Sequence, residues 1–105
     1  MTTDTRVGIT PTSIKTSDDG KTRITYHSTD IMTFDSDTIT LNTGGWFTNT
    51  TKTRMNQASS QFALRFGVFQ KNWDWFIEVY PSGEVVPFPE NGRATIDRHT
   101  MEVTA

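Results

Sequence analysis

The chain has 105 residues, 33% hydrophobic, 11% aromatic and 21% charged, with no cysteine and a formal net charge of −2. That length supports one domain and one core, which excludes multi-domain enzyme folds and leaves few large apolar residues over for a ligand cavity. Without cysteine there is no disulfide framework, thiolate nucleophile or Cys-based zinc site, and with no apolar run longer than three residues neither a membrane span nor a signal peptide is expected.

Residues 1–20 hold Gly8, Pro11 and the turn-like Ser17-Asp18-Asp19-Gly20, with Val7, Ile9 and Ile14 the only sizeable apolar side chains after Met1. They read as a flexible N-terminal arm or at most an edge strand. Residues 21–88 read as the domain proper. Arg23-Ile24-Thr25-Tyr26-His27, Asp30-Ile31-Met32-Thr33-Phe34 and Thr38-Ile39-Thr40-Leu41-Asn42 form three short strands in meander order. Asn42-Thr43-Gly44-Gly45-Trp46 opens a loop, because paired glycines permit positive φ and close backbone approach.

Thr50 to Phe62 is the one convincing helix. Met55, Ala58 and Phe62 recur at i, i+3 and i+7 as an apolar stripe, and Asn49, Thr50 or Thr51 is placed to cap its first turn. Two strands follow around a turn at Gln70-Lys71-Asn72. Leu64, Phe66, Val68, Trp75, Ile77 and Val79 point inward, while Arg65, Phe69, Lys71 and Phe76 point outward, with Phe69 near Phe76 across the strands. Trp73 falls in the alternating run that begins the second of these strands. Pro81-Ser82-Gly83 is a turn and Glu84-Val85-Val86 an optional sixth strand; residues 89–105 read as a frayed tail. The expected fold is α+β: a small antiparallel sheet in the order β-β-β-α-β-β, with one helix packed on one face.

The net charge conceals a segregation. No acidic residue lies between Asp37 and Asp74, so residues 38–73 carry +4 from Lys52, Arg54, Arg65 and Lys71, and the remainder carries −6. A basic middle between acidic ends can present a locally positive surface, since distant charges are screened beyond a Debye length of about 10 Å at 0.1 M salt. Threonine is abundant, with 20 copies, which suits exposed strand faces, turns and caps.

Tyr26-His27-Ser28-Thr29, Asn42-Thr43-Gly44-Gly45-Trp46, Thr50-Thr51-Lys52-Thr53-Arg54-Met55-Asn56-Gln57 and Gln70-Lys71 succeed one another in an order that resembles a family of small proteins encoded by tailed bacteriophages. The resemblance covers about half the chain. It implies a phage or prophage origin and the host cytoplasm as setting, and it implies no activity.

The helix start offers anion chemistry. Backbone N–H groups there carry partial positive charge, so Thr51, Lys52, Arg54, Asn56 and Gln57 are candidates for phosphate or nucleic-acid contact, joined by Arg65 and Lys71. The spacing is not that of a nucleotide-hydrolysing phosphate loop. Trp46, Phe69 and Phe76 are candidates for base stacking or for contact with a protein partner, since aromatics serve both. The alternative for the loop and helix start is structural: a glycine turn, a core tryptophan and a threonine cap.

Catalytic constellations are poor. His27 and His99 stand far apart, the acids lack metal-ligand spacing, and no nucleophile, base and orienter assemble, so no enzyme, no metal and no cofactor are expected. The leading expectation is a phage accessory protein that binds nucleic acid or nucleotide phosphate through its basic middle segment. The alternative is an inhibitor that binds a host enzyme or defence protein. Self-association through an open sheet edge is a third, and no membrane partner is expected.

Overall fold

The computed structural model describes residues 12–26, 29–45 and 47–104. His27, Trp46 and residues 1–11 of the expected arm lie outside the described residues.

The described residues form one helix and nine strands in two antiparallel sheets. They are β1 (Thr12–Thr16), β2 (Thr22–Tyr26), β3 (Thr29–Phe34), β4 (Thr38–Asn42), α1 (Asn49–Phe62), β5 (Phe66–Lys71), β6 (Asp74–Val79), β7 (Glu84–Pro87), β8 (Arg93–Asp97) and β9 (Val103–Thr104). The larger sheet runs β1-β2-β3-β4-β8-β9 and the smaller one β5-β6-β7. The α+β class stands, and the expected meander is β2-β3-β4. The single small sheet does not stand: β4 pairs with β8 rather than with β5 or β6, which leaves β5-β6-β7 as a sheet of its own.

Residues 12–16 form the edge strand that was the alternative to a flexible arm, and residues 93–97, expected to be frayed, are a strand as well. Residues 12–16 of the expected arm pair with β2, Ile14 facing Ile24. Residues 93–97 of the expected tail pair with β4, so that Ala94 meets Leu41 and Ile96 meets Ile39. A segment as polar as Arg93-Ala94-Thr95-Ile96-Asp97 has only two apolar side chains to signal a strand, and both are buried. The partner strand, not local propensity, makes it one.

Ile24, Met32, Ile39, Leu41, Ala94 and Ile96 of the larger sheet, Met55 and Ala58 of the helix, and Phe66, Val68, Trp75, Ile77 and Val79 of the smaller sheet form one continuous buried cluster. Ile31 and Met32 are consecutive yet both buried, because the register between β2 and β3 shifts at Ile24/Thr25 and a bulge turns the extra residue inward.

Thr48 caps α1: its extended backbone precedes the helix and its Oγ1 accepts from the Thr51 N–H at 3.2 Å. The cap thus falls one residue before the three expected. Ala63 ends the helix in the left-handed conformation, its N–H returning to the Ser59 carbonyl. Glycine is required at Gly92, where φ is +80° and a Cβ would lie 2.3 Å from Thr43 Oγ1. There the Thr43 N–H donates to the Gly92 carbonyl at 2.8 Å, tying the end of β4 to the start of β8.

Candidate functional site

Strand β5 is an edge of the smaller sheet, and the helix closes that edge with side chains. Asn56 donates to the Val68 carbonyl at 2.8 Å and accepts from the Val68 N–H at 2.7 Å. Ser59 donates to the Phe66 carbonyl at 2.6 Å and accepts from the Phe66 N–H at 3.2 Å. Residues three apart lie on one helix face, and Phe66 and Val68 are two apart in a strand, so the two spacings match and four backbone groups are satisfied.

Several sequence-predicted site residues are therefore engaged in structure. Asn56 uses both ends of its amide on β5. Thr51 is fully buried, its hydroxyl 3.2 Å from that of Thr48. Gln57 is half-buried, with a buried Oε1 that has no hydrogen-bond partner among the described residues. Lys52 and Arg54 leave opposite flanks of the helix: Lys52 Nζ sits 5.8 Å from the centre of the Trp75 ring, and the Arg54 guanidinium lies 5.9 Å from that of Tyr26. Arg65 is exposed, has φ +65° and donates to the Arg98 carbonyl at 2.8 Å. Lys71 is exposed at the far end of β5, about 20 Å away by strand rise. The structure does not gather these cations into one patch. Phe69 and Phe76 are register partners, stacked with centroids 5.4 Å apart on the outer face, as expected.

The turn between β5 and β6 supplies what sequence reasoning missed. β5 extends to Lys71 and β6 begins at Asp74, so the loop is Asn72-Trp73 alone, with φ of +53° and +72°. Two successive positive φ values define the tight hairpin turn that follows strand twist, and asparagine at its first position was the available signal. Trp73, instead of joining the strand alternation, stands at the tip and is 91% exposed.

Beside it lies a cleft of about 260 Å³, lined by Phe47, Gln70, Trp73, Asp74, Trp75, Phe88 and Glu90. Phe47, Trp75 and Phe88 meet pairwise edge to face, with centroids 5.0 to 5.9 Å apart. Phe88 is held there by its N–H, which donates to the Trp75 carbonyl at 2.9 Å. Lys52, Gln70, Asn72 and Trp73 line a second, open hollow. Trp73 and Gln70 thus border both a carboxylate-bearing aromatic cleft and a hollow that holds a lysine.

Among the described residues no group of three or more His, Asp or Glu side chains is placed to hold a metal ion, and no helix is long and apolar enough to cross a membrane. The sequence model of the family described as Kyanoviridae Gp96 protein matches residues 2–97. No curated protein and no solved structure matches the chain.

Proposed function

Because the chain belongs to the Kyanoviridae Gp96 protein family, a family of phage proteins, we propose that it is a non-enzymatic accessory protein that works in the host cytoplasm by docking a protein partner on the surface around Trp73. The observation that carries this reading is the indole itself. A side chain that would yield about 1.5–3 kcal/mol on burial stands in water at a two-residue turn, next to a half-exposed Phe47 and an open aromatic cleft. Tryptophan is enriched among residues that dominate protein interfaces, and aromatic clusters with mixed charged rims are typical of their centres. The rim here is mixed: Asp74 and Glu90 line the cleft, Lys52 lines the neighbouring hollow, and Lys71 stands opposite Asp74 in the hairpin register.

Binding to single-stranded nucleic acid is the second reading, favoured by the hollow where Lys52 and Trp73 meet, since an indole stacks a base and a lysine neutralises its phosphate. Arg54 and Arg65 stand instead at Tyr26 and at the Arg98 carbonyl, outside the lining of that hollow, which gives that reading less to work with than the sequence promised.

Capture from infected-host lysate, run with and without nuclease, separates the two. Expected is one stoichiometric, nuclease-resistant protein retained by the wild-type chain and lost with Trp73→Ala. Recovery of nucleic acid instead, with affinity falling steeply with salt and the slope reduced by about one contact in Lys52→Ala, would overturn the protein reading.

A further inference from the structure

We infer that the cleft beside Trp73 receives one cationic side chain, a lysine or arginine, of the docked partner; this rests on the protein-binding reading and specifies its chemistry. Three observations point the same way. The cleft is small, about 260 Å³, below the roughly 300–1,000 Å³ of small-molecule pockets and suited to a single inserted side chain. Its walls are aromatic, and the faces of indole and phenyl rings attract cations through their quadrupoles. Its charged lining residues are Asp74 and Glu90, with no base among them.

Those two carboxylates are unspent. The ion pairs among the described residues join Lys21 to Asp35, Arg23 to Asp19 and His99 to Asp37, all in the other sheet and its connections. Lys71 stands opposite Asp74 in the hairpin register without closing an ion pair. Lys52 already shows the chemistry from the helix side, its ammonium 5.8 Å from the Trp75 ring centre, but it lines the neighbouring hollow rather than the cleft. An incoming cation thus meets aromatic walls and two carboxylates that form no ion pair among the described residues. A neutral apolar side chain would gain only the rings, and a phosphate would meet like charge.

The test uses the full chain and simple probes: N-acetyl-arginine amide and N-acetyl-lysine amide, with N-acetyl-norleucine amide as the uncharged control of similar length. Indole N–H resonances of Trp73 and Trp75 report binding by NMR. Expected is a saturable shift of both indoles with at least one cationic probe, weakened about tenfold or more in Asp74→Asn/Glu90→Gln, with the rest of the spectrum unchanged. Equal binding of the norleucine probe, no saturable shift with either cation, or an unchanged affinity in the double variant overturns the inference. So does a thymidylate oligonucleotide that shifts the same indoles and binds more tightly once the carboxylates are removed. If the cations fail to bind but a captured protein still requires Trp73, only this inference falls. If Trp73→Ala retains that protein, the docking reading itself falls.

Discussion

An indole that is 91% exposed contributes little to folding, so Trp73→Ala is expected to shift stability by no more than about 0.5 kcal/mol while weakening partner binding by about 2 kcal/mol or more, roughly 30-fold. Thermal unfolding beside a binding titration checks both halves. Gly92 is the converse case, with no chemistry and a large structural role. Gly92→Ala must strain a φ of +80° and push against the buried Thr43, whereas Gly83→Ala, at φ +77° with nothing within 4 Å of the new carbon, meets the backbone cost alone. Urea denaturation should rank Gly92→Ala as clearly the more damaging of the two. At His99, the hydrogen bond to Asp37 at 2.8 Å raises the imidazole above its ordinary 6.5. The charged ring is therefore favoured in the folded state. Its contribution is complete below the unfolded value and is lost as pH rises through the raised one. An NMR titration should place the midpoint above 6.5 and return it toward that value in Asp37→Asn. The carboxylates run the other way. Backbone N–H groups of Asp37 and Thr38 lower Asp35, and those of His99 and Thr100 lower Asp97, so their contributions hold above 3.8 and are lost as pH falls through the lowered values.

At the scale of elements, the pairing of helix with strand edge is the feature that composition concealed. The apolar stripe of α1 was legible because Met55, Ala58 and Phe62 keep helical period. Periodicity says which face is buried but not that polar residues on its flank will bond a strand. Its place at the polar helix start makes Asn56 a phosphate candidate, but the structure occupies both ends of its amide with Val68. Asn56→Ala leaves a strand N–H and a carbonyl without partners and is expected to cost about 1–3 kcal/mol, measured as a lower urea midpoint with unchanged slope. Uncovering that edge also opens β5 to pairing with another chain, the known liability of edge strands. The hairpin shows the same limit from the opposite side. The inward positions from Leu64 to Val79 follow from alternation, and all six are buried. The turn position does not follow, because moving it by one residue converts Trp73 from strand to tip, and register sets that choice.

For the whole molecule, closure depends on the C-terminal strands. β8 lies between β4 and β9, and residues 94–101 bring Ala94, Ile96 and Met101 into the core. Arg98 adds a return contact, its N–H donating to the Asp37 carbonyl at 2.8 Å. Truncation after Pro89 is therefore expected to abolish cooperative unfolding, read by calorimetry, although those residues looked like a frayed tail. A small domain has little stability to lose, so exposing Ile39 and Leu41 along β4 removes a large share of it.

The amino-acid sequence by itself determined the α+β class, the single helix, the meander of β2 to β4, the inward faces of the hairpin and the proximity of Phe69 to Phe76 across its strands. All are local, carried by apolar spacing within a dozen residues. Its central stretch of motifs also placed the chain near small phage proteins, in keeping with the family it belongs to. Only the tertiary structure decided the division into two sheets, the recruitment of residues 12–16 and 93–104, the dispersal of the basic side chains and the cleft at Trp73. Each depends on partners distant in sequence: Phe47 meets Trp75 and Phe88, β4 meets β8, and Arg65 reaches Arg98. A one-dimensional charge pattern places residues 38–73 together, but a helix rotates by about 100° at each residue and a strand alternates at every step, so neighbours in sequence leave on different faces.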